Sequence, residues 1–161
     1  MYYIISLLFL VACVALQYAL PPWLQFGGVA PELTLVAVVS IGLLRGSAHG
    51  SVAGFVGAFL SASTGDQPMG TFFITHVGAG FAAGLLAGRL FSTRITVAAL
   101  AALVAVTAHS LIALILAPPA EPQPWLHAVF SKALWTAVWS LLLYLPFRAV
   151  AHAFEDDVHE Y

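Results

Sequence analysis

The chain has 161 residues, of which 61% are hydrophobic and only 7% charged, and its formal net charge is −2. An ordinary soluble domain is roughly 45–50% apolar and about 25% charged, so a soluble fold of this composition could not cover its surface with polar groups. The sequence has no basic tract, and we expect no nucleic-acid partner. We therefore expect an all-α, polytopic membrane protein whose main solvent is lipid.

Prolines, glycines and charges divide the sequence into six apolar segments. The first segment lacks a basic start and an A-x-A cleavage site, so we interpret it as a membrane span rather than a signal peptide. A span needs ~20 residues, so six of them use most of the chain and leave a single domain over residues 1–161. The proline-rich segment 118–124 predicts an extended loop. The predicted spans are 2–20, 32–45, 48–63, 70–91, 95–116 and 125–147.

The arginines indicate how the spans are oriented. With six alternating spans, all four loop or tail arginines fall on one side, which the positive-inside rule makes cytoplasmic. Both termini are then cytoplasmic, and we expect Glu32 and Arg45 to lie at opposite interfaces. The arginines concerned are Arg45, Arg89, Arg94 and Arg148. The opposite loops carry Glu32, Asp66 and Glu121.

Small residues recur at every fourth position along the third and fourth predicted spans. This spacing lets helix backbones approach closely in lipid. The short turn around residues 64–69 also makes these two spans antiparallel neighbours. Two interpretations stay open, since the small residues could pack the protein against itself or could dock a partner's membrane helix. The glycines concerned are Gly50, Gly54, Gly80, Gly84 and Gly88.

Three ionisable residues inside the spans are candidates for a site, because such residues are costly in lipid. His76, His109 and Lys132 all lie roughly 9–12 Å below the predicted external surface, counted at ~1.5 Å per residue. They could line one outward-facing pocket. Alternatively, Lys132 extends to the interface under cover of Trp135, and the histidines are packing residues bonded to a carbonyl or to a hydroxyl such as that of Thr107 or Ser110.

Catalytic signatures are missing from the sequence. Ser110 beside His109 is no nucleophile–base pair, because adjacent helical residues point in different directions. No span carries paired acidic residues, and Cys13 is the only cysteine, which excludes a disulfide framework within one chain. The remaining histidines are scattered. We therefore expect a non-catalytic protein without a metal or cofactor.

Several short motifs resemble the MreD family, the rod shape-determining membrane proteins of bacteria. Pro31-Glu32-Leu33 opens span two like the family's Pro-Asp-Leu entry, and Leu43-Leu44-Arg45-Gly46 ends it. Gly50 and Gly54 resemble the family's two spaced glycines. The turn Ser63-Thr64-Gly65-Asp66-Gln67-Pro68-Met69-Gly70 also resembles the family's. Ala58 stands where many members carry an aspartate.

The resemblance implies a non-catalytic scaffold of the cell-elongation complex in the bacterial inner membrane. Its expected partners are MreC, then RodA and its class B penicillin-binding protein, directly or through MreC. Through these partners it would help to organise peptidoglycan synthesis and would link indirectly to MreB filaments. The family's bundle is similar to the S components of energy-coupling transporters. A small-molecule-binding subunit of such a transporter is the alternative, motivated by the polar residues at one depth and by Ala15-x-x-x-Ala19.

Overall fold

The computed structural model describes residues 2–64, 68–87, 95–118 and 122–156. Within these ranges the chain is helical, and a short 3-10 helix, Pro22–Leu24, lies in the first connection. The fold is thus all-α, as the composition and the apolar segments predict. The α-helices are α1 (Tyr2–Ala19), α2 (Leu33–Arg45), α3 (Ser47–Ala62), α4 (Met69–Leu86), α5 (Ile95–Leu116) and α6 (Pro122–Asp156).

The predicted bounds of the first three and the fifth apolar segments agree with α1, α2, α3 and α5 to within one residue. The fourth segment was predicted to continue to residue 91, but α4 ends at Leu86, and residues 88–94 lie outside the described ranges. The positions of charged residues and prolines in the sequence therefore predict the ends of these helices well.

The start of α6 corrects the prediction. Residues 118–124 were expected to be non-helical because of their prolines, yet α6 begins at Pro122 and includes Pro124. Proline is tolerated in the first turn of a helix, where the backbone N–H groups have no partner within the helix. The helix also continues beyond residue 147, past the internal Pro146, to Asp156.

Successive helices alternate in direction. The end of α1 meets the start of α2, where Gln17 accepts hydrogen bonds from Thr34. The start of α1 meets the start of α3, where Tyr3 stacks on His49. Farther along the chain, α4 runs back along α3, and α5 runs back along α4. The result is an up-and-down bundle in which α2 and α6 run parallel, joined near their starts by Glu32 and Lys132 and near their ends by Ile41 and Phe147.

Helix α2 is the centre of this bundle. Every residue from Leu33 to Leu43 is buried, and α2 packs against all five other helices. Its 13 residues span only ~20 Å, less than a hydrocarbon core of ~30 Å. The other helices surround α2, so its side chains contact protein and not lipid. The length of α2 therefore does not need to match the thickness of the hydrocarbon core.

A single glycine joins α2 to α3. Gly46 has φ 86° and ψ 179°, a backbone conformation that residues with a Cβ strongly disfavour. Its N–H donates to the Gly42 carbonyl, and its carbonyl accepts from Gly50. The chain therefore reverses without a loop, which places α3 directly against α2.

In the part of the chain that the structure describes, three helices are long and apolar enough to cross a membrane: α4, α5 and the Gln123–Val150 part of α6. The apolar helices Tyr3–Ala19 and Leu33–Arg45 are shorter. Large side chains on the outside of the bundle are apolar, among them Ile74, Leu100 and Phe130. This surface suits lipid contact.

Candidate polar site inside the bundle

A buried carboxylate lies at the start of the central helix. Glu32 immediately precedes α2 and is only 6% exposed. Its backbone N–H donates to Thr136 Oγ1 at 2.9 Å, and its Oε1 accepts from Lys132 Nζ at 2.5 Å. Lys132 and Thr136 are four residues apart and lie on one face of α6. One face of α6 therefore holds both the backbone and the side chain of Glu32.

His109 of α5 adds a second contact to this carboxylate. Its Nε2 lies 3.7 Å from Glu32 Oε1, and its Nδ1 lies 2.9 Å from Thr75 Oγ1. The Thr75 hydroxyl donates to the Thr71 carbonyl at 2.7 Å, so its oxygen accepts from His109 Nδ1, and His109 Nε2 makes no hydrogen bond among the described residues. His109 thus connects α4, through Thr75, to the carboxylate at the start of α2.

His76 of α4 lies beside this network and is fully buried. Its Nδ1 is 3.0 Å from the Phe72 carbonyl, and that oxygen can only accept, so Nδ1 carries the proton. The His76 and His109 rings meet edge to face with centroids 5.9 Å apart. His76 Nε2 faces inward without a hydrogen-bond partner among the described residues.

The structure brings together the three polar residues singled out in the sequence, but in a closed cluster rather than an open pocket. His76 and His109 are 0% and 1% exposed, and the Lys132 side chain is 24% exposed. Lys132 is not extended freely to the interface, since it is paired with Glu32. The histidine partner is Thr75, whereas Thr107 donates to the Leu103 carbonyl of its own helix.

Sequence reasoning missed Glu32 and Thr75. Glu32 was expected at an interface, but its partners were not foreseen: its side chain is buried and its contacts come from Lys132 and Thr136 of α6. A usable signal was present, since a lysine inside an apolar segment requires an anionic partner. Glu32 stands at the external end of its own segment, and the depth of Lys132 places it near that same end.

The predicted glycines lie between α3 and α4. A Cβ at Gly50, Gly54 or Gly80 would collide with backbone atoms of the facing helix, and one at Gly84 would collide with the turn around Ser47. Gly42 of α2 belongs to the same contact, where a Cβ would come within 2.6 Å of the Gly80 carbonyl oxygen. This surface is therefore occupied by the protein's own helices. Gly88 lies outside the described residues.

A second row of small residues lines an open cleft between α4 and α5, which we call the α4–α5 cleft. Its volume is about 470 Å³, and Val39 of α2 contributes to its lining. Gly78 lies in the cleft, and a Cβ added there would meet nothing within 4 Å. Exposed Ile74, Leu100 and Val104 flank it. The small residues of its lining are Gly78, Ala79, Ala82, Ala83, Ala101, Ala105 and Ala108.

The polar cluster is not arranged as a metal site. Among the described residues, no group of three or more His, Cys, Asp or Glu side chains is placed to hold a metal ion. The chemistry of the cluster is that of an internal ion pair supported by hydrogen bonds, in which the negative charge of Glu32 already faces the positive charge of Lys132.

The chain matches no protein-family model, no curated protein and no solved structure.

Proposed function

We propose that this protein is a non-catalytic scaffold with six membrane spans that binds the transmembrane helix of a partner. The partner proposed is MreC of the bacterial cell-elongation complex, with RodA and its class B penicillin-binding protein reached directly or through MreC. The location is the bacterial inner membrane, with both termini in the cytoplasm. The choice of partner depends on the MreD-like motifs of residues 31–33, 43–46, 50–54 and 63–70.

The observation that carries the binding role is the α4–α5 cleft. Its walls lie on α4 and α5, two of the helices long and apolar enough to cross a membrane. Gly78 and Ala82 on α4, and Ala101 and Ala105 on α5, repeat at four-residue spacing. Small residues at this spacing on both walls allow the backbone of a third helix to approach closely. Contact with lipid chains does not require such a row of small residues.

The polar cluster supports this role by stabilising the bundle that presents the cleft. Thr75 lines the cleft and also contacts His109, while Val39 of the cleft belongs to the central helix. The ion pair between Glu32 and Lys132 joins α2 to α6. A partner helix would then meet a surface whose shape is already fixed, which reduces the entropy lost on binding.

The alternative, a small-molecule-binding subunit of an energy-coupling transporter, has one observation in its favour. The His76 and His109 rings meet inside the bundle, and His109 and Lys132 both lie against the Glu32 carboxylate. The two histidines are fully buried, however, and Lys132 and His109 already face Glu32. A ligand would have to break an ion pair in order to enter, so the cleft supports the scaffold role better.

The test is co-purification with MreC in mild detergent, using three glycine-to-leucine variants of α4. Gly78→Leu fills the cleft, and overpacking costs about 1–3 kcal/mol, so MreC binding should weaken about 5- to 150-fold. Gly70→Leu is the matched control, because Gly70 is exposed, has open space around it and lies outside the cleft. It should bind as the wild type does.

Gly80→Leu separates the cleft from the internal contact with α3. This variant should fail to fold stably, because its side chain would meet the Gly50 backbone. Normal MreC binding by Gly78→Leu would show that the partner docks elsewhere. If the wild-type protein bound an energy-coupling module instead of MreC, the scaffold proposal itself would be wrong.

A further inference from the structure

A second cleft, between α1 and α3, has a different character from the first. It has a volume of about 230 Å³, about half that of the α4–α5 cleft, and Ile41 of α2 contributes to it. Its walls carry branched aliphatic side chains, including Leu7, Val52 and Val56, instead of a row of small residues. A helix backbone could not approach such walls closely, whereas a flexible hydrocarbon chain can lie between them.

One polar group inside this α1–α3 cleft lacks a partner. Ser6 lines the cleft and is only 9% exposed, and its hydroxyl makes no hydrogen bond among the described residues. Ser40 and Ser51 donate to the carbonyl four residues earlier, whereas the buried hydroxyls of Ser61 and Ser140 have no partner among the described residues, as at Ser6. A buried hydroxyl without an acceptor is unfavourable, and of these hydroxyls that of Ser6 lines a cleft, where an acceptor from outside the chain can reach it.

The mouth of the cleft is polar and lies at the end of the bundle that carries Arg45. The His49 ring accepts a hydrogen bond from the Tyr3 hydroxyl at 3.1 Å and donates to the Arg45 carbonyl at 3.1 Å. The Tyr3 and His49 rings also stack, which bridges α1 and α3. Ser6 lies one turn deeper than Tyr3, ~4.5 Å along the helix axis. The cleft thus has a polar, aromatic rim of Tyr3 and His49, then the Ser6 hydroxyl, then an apolar interior.

This order of groups matches a glycerophospholipid, which has a phosphate, then ester carbonyls, then hydrocarbon. We propose that the α1–α3 cleft binds one acyl chain of an anionic glycerophospholipid, with the Ser6 hydroxyl donating to an ester carbonyl. Arg45 ends α2 at this same end of the bundle, and a basic residue near the membrane surface favours lipids with an anionic headgroup. The proposed lipid site lies on a different face of the bundle from the proposed MreC site. The two proposals are therefore independent of each other.

The test is native mass spectrometry of the full chain after delipidation and titration with phosphatidylglycerol or phosphatidylcholine. The wild-type protein should retain one phosphatidylglycerol in preference to phosphatidylcholine. Ser6→Ala removes one hydrogen bond and should weaken retention about fivefold. Ser51→Ala is the matched control, since Ser51 lies near the same end but donates within its own helix. It should retain lipid as the wild type does.

A second variant fills the cleft. Ala53→Leu should abolish retention, and if it does not fold, Ser6→Ala remains decisive. Gly78→Leu, which acts on the other cleft, should leave lipid retention unchanged. The proposal is overturned if the wild type retains no lipid, if it retains both lipids equally, or if Ser6→Ala and Ser51→Ala behave alike. The proposal would also be overturned if a partner helix displaced the lipid and could be crosslinked to position 7.

Discussion

At the scale of single residues, the most informative feature is a pair of opposite charges inside an apolar bundle. Glu32 and Lys132 are separated by 100 positions in the chain and meet at 2.5 Å. Removing two charges from water is costly, and their mutual attraction repays this cost only when the geometry and the surrounding hydrogen bonds are good. Thr136 holds the Glu32 backbone and His109 lies 3.7 Å from the carboxylate, so the main partner of each charge is the other charge.

Because each charge needs the other, a double-mutant cycle at Glu32 and Lys132 should show a specific pattern of unfolding free energies. Lys132→Met leaves the Glu32 carboxylate buried without a cation and should lower the free energy of unfolding by about 3–5 kcal/mol. Glu32→Gln leaves the lysine without its anion and should also be destabilising. The double variant should be more stable than either single variant, because no charge is left unpaired. Unfolding in detergent, followed by circular dichroism, measures all four proteins.

A matched substitution tests whether the loss of any polar side chain inside the bundle lowers the free energy of unfolding. Thr107→Val removes a hydroxyl from α5 that donates only to its own helix, and it should change the free energy of unfolding little. If the losses in the Glu32 and Lys132 single variants simply add in the double variant, the two residues act independently and the ion pair is not the stabilising element.

The residue scale is also where sequence reasoning was least complete. His76, His109 and Lys132 could be found because ionisable groups stand out in apolar segments. Glu32 does not stand out in this way, since a charge at the end of a segment is ordinarily solvated, and the signal for it was indirect, through the anion that Lys132 requires. Whether it is covered depends on where α6 packs, and this is a property of the tertiary arrangement.

At the scale of helices, the connection between α2 and α3 depends on one residue. Gly46→Ala should lower the free energy of unfolding by about 1–3 kcal/mol, because φ 86° with ψ 179° is strained for any residue with a Cβ. The matched control is Gly70→Ala in the first turn of α4, where open space surrounds the new methyl group. It should be neutral or slightly stabilising.

The midpoint of thermal unfolding in one detergent compares these two variants directly. Equal midpoints for Gly46→Ala and Gly70→Ala would show that the connection can relax and that the strain argument is wrong.

The helices themselves were predictable, since α5 has the bounds that its apolar run predicts. The start of α6 was not, because the rule that proline breaks helices fails in a first turn, where no amide hydrogen is needed.

At the scale of the whole molecule, the alternation of helix directions bears on the number of membrane spans. Ile41 and Phe147 share one buried cluster, so Arg45, one turn beyond Ile41, and Arg148, next to Phe147, lie at the same end of the bundle. Glu32 and Lys132 mark the other end. This charge asymmetry is the one that the positive-inside rule requires of a six-span chain. By length and composition, the described residues offer α4, α5 and the Gln123–Val150 part of α6 as spans.

Cysteine labelling distinguishes six spans from three. Cys13 is buried and is the only cysteine, so Cys13→Ser gives a background for single-cysteine variants. Trp23→Cys lies in the exposed connection after α1, and Ala48→Cys lies at the exposed start of α3. If α2 crosses the membrane, a membrane-impermeant maleimide should label position 23 in spheroplasts and position 48 only after lysis.

A third position extends the argument to α3. Thr64→Cys, at the exposed end of α3, should label in spheroplasts as position 23 does, because α3 returns the chain to the outer side. If positions 23, 48 and 64 all behave alike, α2 and α3 do not cross the membrane, and the six-span arrangement is wrong. A short central helix would cross the membrane only because its neighbours enclose it. Labelling on opposite sides of α2 would therefore show that burial in protein, and not helix length, decides which segments span.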